Sequence, residues 1–431
     1  MPEPRRDQLL NGLNVLLWQR AGDPNVLLKL RIHSGAAFDL AGKAGTMALL
    51  GDSLFPDPTT RDYFTEELGG RVEVTTDYDA INITLTGRAS QFERIVELLR
   101  TALVTPPPVP DALTKLRDAR IKVVSETGVT PTAMADRAVA ARLYGNFPYG
   151  RLSTGAPETL SRLDRIDLLY ARDRFLSPNN ATLVVIGGVE ERRAMRALKQ
   201  LLGLWRKSDS VVPTTFRQPD APDARTLLVD LPGAETTEVR LAARSLARSD
   251  RDHAAATVLS LLVRDRWQAA MPELNKSAFF VRHEAHVLPG MFVMGASVRS
   301  GIAAQTLAAA RSTLRSLSAS TPSPAEFERV KSEAVAIFNK QIEQPETLAA
   351  LWLDVDTYKL PSVADQIRAL NQLTPADVQR VAAKLFRDAP LAAVAVGSAT
   401  QLSVDLQRDG KVEILGSVNT PNPPTPSKSP M

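Results

Sequence analysis

The chain has 431 residues, 44% apolar and 23% charged. This is the balance of a soluble globular protein, too long for one core, and two domains of roughly 200 residues are expected. Its 52 basic and 48 acidic residues give a net charge of +4, and no basic run with interleaved aromatics occurs, so nucleic-acid binding is not expected. There are no cysteines, which excludes disulfides and thiolate-bound zinc, and no apolar run of about 18 residues, so no bilayer span is expected.

The opening from Met1 to Arg6 lacks the pattern of a secretory leader. The expected location is cytoplasmic, or periplasmic if a leader has been removed. The first strand is read at residues 10–17 after a turn signal, and the second at Val26–Ile32, which partly alternates. Helices are read near 43–54 and over Tyr63–Leu68, the latter stopped by Gly69 and Gly70. Paired strands follow at 71–77 and 79–86. Phe92, Ile95, Val96, Leu99 and Leu103 then mark a helix ended by the prolines from 106 to 110. A long helix near 111–126, one after Pro131, a helix over Leu168–Phe175 and an apolar strand at Ala181–Gly187 close the half.

The second half repeats this order. It has strands at 225–230 and 237–243, a helix over 252–270, and strands near 279–287 and 290–298. Leu307, Ala310, Leu314 and Leu317 mark an amphipathic helix, broken at Pro322 and Pro324 as the earlier proline run breaks its counterpart. Helices near 325–343, after Pro345 and over Ala376–Phe386 lead to a closing strand at 391–397. Val184–Gly187 and Val394–Gly397 correspond in sequence. A period of about 200 residues indicates two related domains and not a solenoid. We therefore expect an α+β protein of two homologous domains, each a mostly antiparallel sheet covered by helices. The expected bounds are 1–208 and 223–417, joined by a linker at 209–222 and followed by a flexible Pro/Ser/Thr-rich tail at 418–431.

Six short segments, in order along the chain, carry a resemblance. They are Leu10–Val15, Ile32–Ala37, Glu67–Gly70, Tyr144–Gly150, Tyr170–Asn180 and Val229–Glu235. Together they resemble the pitrilysin-type (M16) zinc peptidases, over roughly residues 8–400. The resemblance implies a helix bearing H-x-x-E-H, two His for zinc and a Glu as general base, with a further Glu ligand about 75 residues on. In this chain Ala48 and Asp52 stand at the His positions and Gly51 at the base position, while Glu126 lies near the distal spacing. Ala48 and Gly51 offer no ligand or base, so zinc hydrolysis by this chain alone is not expected, and zinc is expected only in a partner. Glu126 is either a remnant ligand or an exposed helix carboxylate. His33 reads as structural, and His253 as facing solvent. His283 and His286, three apart on a strand-like segment, should point to opposite faces. No G-x-S-x-G and no phosphate loop occurs.

The resemblance also implies that a metal-less partner of two-subunit M16 enzymes contributes an Arg and a Tyr about 13 residues apart to bind substrate. Arg266 matches the Arg, with Arg264 as a rival, and Phe279 replaces the Tyr. M16 chains bind peptide as an added strand, for which Ile81–Thr86 is a candidate scaffold. The leading expectation is a non-catalytic subunit that pairs with a zinc-bearing H-x-x-E-H homologue, or with itself, around a peptide chamber. The alternatives are a stand-alone binding or assembly protein, and a peptidase with an atypical metal site at Asp52 and Glu126.

Overall fold

The computed structural model describes residues 3–210, 216, 217 and 219–416. The expected tail at 418–431, and residues 211–215 and 218 of the expected linker, lie outside the described residues.

The first half runs β1 (Arg5–Gln8), β2 (Asn14–Gln19), β3 (Asn25–Ile32), α1 (Thr46–Asp52), α2 (Pro58–Glu66), β4 (Val72–Thr76) and β5 (Ile81–Arg88). It continues through α3 (Phe92–Val104), α4 (Pro110–Gly128), α5 (Pro131–Tyr144), α6 (Pro157–Leu160), α7 (Arg165–Phe175), β6 (Ala181–Gly187) and α8 (Glu191–Leu202). Local chemistry sets these bounds. Pro110 and Pro131 open their helices where no N–H partner is needed, Thr130 Oγ1 caps α5, and Asp164 with Asp167 forms a reciprocal cap on α7. The expected strand at 10–17 begins later because Leu9–Gly12 is a turn, with Gly12 at φ +90° and its N–H donating to Leu9 O at 2.9 Å.

The second half runs β7 (Thr226–Asp230), β8 (Thr236–Arg244), α9 (His253–Ala270), β9 (Phe279–Glu284) and β10 (Met291–Arg299). It continues through α10 (Ala303–Ala319), α11 (Pro324–Glu343), α12 (Pro345–Tyr358), α13 (Val363–Gln372), α14 (Pro375–Phe386), β11 (Ala392–Gly397), α15 (Ala399–Asp409) and β12 (Val412–Leu415). Each half holds one mixed six-stranded sheet, in the orders β1-β2-β6-β3-β5-β4 and β12-β7-β11-β8-β10-β9. Five strands correspond one to one. The sixth differs: β1 comes from the start of the chain and runs antiparallel to β2, while β12 comes from the end and runs parallel to β7.

The halves cover each other. One face of the first sheet packs on its own α3 and α8 through Leu28, Leu30, Leu85, Phe92, Ile95 and Leu198. Its other face, at Leu16, Leu27, Val184 and Ile186, is covered by Leu348, Leu351, Trp352 and Leu353 of α12. The second sheet reciprocates. Its Leu227, Val229, Val293, Val394 and Val396 lie under Ala135, Val139 and Leu143 of α5. β6 and β11 are therefore buried at every residue, which explains why both read as unbroken apolar runs instead of alternating ones.

Candidate functional site

Helix α1 lies across the first sheet near its β4 edge. Asp39, buried just upstream, anchors its start: Oδ2 accepts from Gly45 N–H at 2.6 Å and Oδ1 from Met47 N–H at 2.9 Å. Burial raises the Asp39 carboxyl to about 6, against the lowering effect of those helix N–H groups and of Arg151. Ala48 is buried. Gly51 is packed so tightly that a Cβ there would sit 2.8 Å from Thr76 Oγ1 and 3.4 Å from Val74 Cγ1. At the position the resemblance aligns with the base there is thus no side chain, and one could enter only if Thr76 shifted.

Asp52 is taken by Arg120 of α4. The two form a bidentate pair in which Nη2 donates to Oδ1 at 2.6 Å and Nε to Oδ2. A guanidinium supplies the positive charge beside this carboxylate. Glu126 does not join it. It stands six residues beyond Arg120, about 240° further round the helix. Its side chain is 64% exposed and its nearest cation is Lys122 at 4.0 Å. The inward face of α4 is instead Leu113, Arg120 and Val124. The sequence reading missed Arg120, although an Arg six positions from the expected ligand on the same helix was the available signal.

Beside α1 runs the free edge of the sheet. The candidate scaffold strand at 81–86 is not that edge. It lies within β5, paired with β3 on one side and β4 on the other. β4 is the terminal strand. Thr86 N–H donates to Arg71 O, and Asp77 N–H donates to Ala80 O. By antiparallel alternation Arg71, Glu73, Thr75 and Asp77 turn their backbone groups toward β5. Val72, Val74 and Thr76 therefore turn theirs outward, and the side chains of Val74 and Thr76 are the ones that meet Gly51.

The tip of the β4–β5 hairpin is pinned to the second half. Buried Asp79 accepts from His286 Nδ1 and Tyr358 Oη at 3.1 Å each, from Val287 N–H at 3.3 Å and from Tyr149 Oη at 3.4 Å. Burial opposes charge on His286, yet its bond to Asp79, with the Glu284 and Asp77 carboxylates nearby, raises its pKa. One strand inward, Arg31 donates to Asn82 Oδ1 at 2.7 Å and Asp354 Oδ1 at 2.6 Å. His33 bonds Thr182 and Thr357 at 3.0 Å each. These contacts fix the position of the β4 edge relative to the second half.

Residues 162–334 match the sequence profile described as the Peptidase M16 inactive domain. That segment, which ends the first half and runs through much of the second, is similar to the M16 peptidase family. A protease from Helicobacter pylori shares the fold at 20% identity and a TM-score of 0.84, covering 92% of this chain and 100% of that one. An M16 inactive domain from Pseudomonas fluorescens does so at 17% identity and 0.81, covering 92% and 98%. An M16-like peptidase from Alicyclobacillus acidocaldarius does so at 16% identity and 0.81, with the same coverage. At these identities the likeness concerns the fold. No curated protein matches the sequence significantly.

The residues at the M16 zinc position do not fit the metal. Ala48 and Gly51 bring no donor, Asp52 is committed to Arg120, and Glu126 faces solvent. Among the described residues no group of three His, Cys, Asp or Glu is arranged to hold an ion. The chain has the M16-like fold, and residues 162–334 match the profile of the inactive domain.

Arg266 and Phe279 both lie where α9 meets β9, but neither is a free group. Arg266 donates to both carboxylate oxygens of Glu326 on α11, at 2.7 and 2.9 Å, and that bond raises its pKa. Phe279 is buried edge-on against Trp267, with ring centroids 4.8 Å apart. Arg264 is held by Asp265 and Glu333. His283 and His286 do turn to opposite sides: His286 to Asp79, and His283 to His253, at 4.9 Å between rings. His253 does not face solvent. Burial takes its pKa down to about 2 and that of His283 to about 4, the two rings packing on each other.

Proposed function

We propose that this chain is a non-catalytic M16 subunit that pairs with a zinc-bearing H-x-x-E-H homologue and presents a strand edge to unfolded peptide. The observation that carries the reading is the β4 edge. Outward N–H and C=O groups of Val72, Val74 and Thr76 run beside a helix that holds neither metal ligand nor base. An exposed edge is a template for an added strand, giving main-chain affinity without demanding a sequence. With no chemistry of its own at α1, the chain would bind and orient peptide while the partner cleaves it. Arg266 and Phe279 would shape the second-half wall of such a chamber, and Arg266 could reach a peptide only by leaving Glu326.

The test is peptide cleavage by an H-x-x-E-H homologue from the same organism, with and without this chain. Faster cleavage by the mixture supports pairing, and an unchanged rate rejects it.

A second reading is an assembly subunit of a larger complex. A chain of Complex III2 from Candida albicans shares the fold at a TM-score of 0.78 and 12% identity, over 94% of this chain and 99% of that one. Under that reading affinity capture recovers non-peptidase proteins and no H-x-x-E-H homologue.

A further inference from the structure

A cavity of about 430 Å³ lies in the second half, away from α1 and β4. It is walled by the start of α9, by α11, by Leu351 of α12, by the turn at Leu360 and Pro361, and by α13. We infer that it binds a small monocarboxylate with an apolar body.

The volume falls within the roughly 300–1,000 Å³ typical of small-molecule sites. Ala334, Ile337, Phe338, Leu351, Leu360 and Leu370 make most of the wall apolar. A hydrated ion or a phosphate would gain nothing from such a wall, whereas a hydrocarbon body would.

Two arginines line the polar end, exposed Arg251 at the rim and Arg248 further in, and Arg248 lacks a full partner. Arg248 Nη2 donates to neutral Gln366 Oε1 at 3.2 Å. Its nearest carboxylate, Asp354, is 3.7 Å away and holds Arg31 at 2.6 Å through its other oxygen. Burial lowers the pKa of Arg248, and a desolvated cation matched only at a distance is costly until an anion meets it. The acids at the rim do not meet it, because Asp250 pairs with Lys384 at 3.2 Å and Asp365 with Arg368. His253 lines the same end, with its Nδ1 buried and without a hydrogen-bond partner. Its neutral imidazole can donate to a carboxylate oxygen beside the guanidinium. One largely buried cation and one neutral donor, with Arg251 left in solvent at the rim, suit a single negative charge inside.

Calorimetric titration of the full chain with sodium octanoate, octanol, octylamine and inorganic phosphate tests this. Octanoate should bind at least about tenfold more tightly than octanol or octylamine, the gain expected of a charge-assisted contact, with no heat from phosphate. R248M should bring octanoate down to the octanol level. Since Arg248 is buried and that variant can misfold, A369W gives an independent check. Ala369 is exposed on α13 at the cavity. The tryptophan should block octanoate while leaving the melting temperature of the unliganded chain unchanged. Equal binding of octanoate and octanol, unaltered binding by A369W, or an octanoate Kd weaker than about 1 mM would overturn the inference.

Discussion

Trp352 tests the mutual covering of the two halves. It sits on α12, in the second half, yet packs at 2% exposure on Leu16, Leu27, Val184 and Ile186 of the first sheet, edge-on to Trp18 with centroids 5.9 Å apart. Trp352→Ala leaves a cavity on that face, at a cost of about 3–5 kcal/mol. Unfolding entropy near 2.1 cal/mol/K per residue amounts to about 0.9 kcal/mol/K for a chain of this length, so the melting temperature should drop by roughly 3–6 °C. Position matters more than size. Because α5 and α12 each cover the sheet of the other half, the chain should still melt in one transition. Amide exchange should rise along β6, about 170 residues from the substitution, as much as along α12 itself. Calorimetry and hydrogen exchange read both effects. Two resolved transitions, or faster exchange confined to the second half, would refute the reasoning.

Three further outcomes follow from the site. Gly51→Glu should destabilise by about 1–3 kcal/mol, because the new Cβ falls on Thr76 Oγ1, and should confer no zinc-dependent rise in melting temperature; a zinc-stabilised variant would contradict the closed base position. Val74→Pro removes an N–H that faces away from β5, a place where edge strands tolerate proline. It should lower the melting temperature by only a few degrees while abolishing any stimulation of a partner's peptide cleavage, and retained stimulation would remove β4 as the template. His33 and His283 are held down to about 4 and His253 to about 2, so all three stay neutral in the fold. The unfolded chain then binds more protons below about pH 6.5, and stability falls as pH drops from 6.5 toward 4, by roughly 2 kcal/mol per histidine at pH 5. Asp39, raised to about 6, and His286, whose pKa is also raised, work in the opposite sense and offset part of this loss. His283→Phe should flatten the pH dependence of the urea midpoint between pH 5 and 7, and an unchanged slope would contradict the assignment.

Much of the architecture was legible because each half spaces its apolar residues by element. The helix around Phe92–Leu103, the strand Ala181–Gly187 and the proline breaks before α4 and α11 could be read directly. β1 could not, since Arg5–Gln8 is wholly polar and is a strand only through its pairing with β2. The short β12 at Val412–Leu415 is likewise set by its neighbour, β7. The residue types at 48, 51 and 52, which the resemblance aligns with a metal motif, were visible in the sequence. The partner of Asp52 was not, because Arg120 reaches Asp52 across 68 residues of sequence and no local spacing marks that pair. Edge and interior strands also look alike in sequence: β5 reads as a better strand than β4, but the fold order leaves β4 outermost. His253 failed for a related reason, since a helix start predicts exposure only when nothing packs over it, and here His283 does.

The most direct test of the central claim is steady-state cleavage of an unstructured peptide by the H-x-x-E-H homologue alone, by this chain alone, and by an equimolar mixture, with zinc content measured for each protein. No zinc and no cleavage are expected for this chain alone, and faster cleavage by the mixture than by the homologue. Stoichiometric zinc and chelator-sensitive cleavage by this chain alone would contradict that claim.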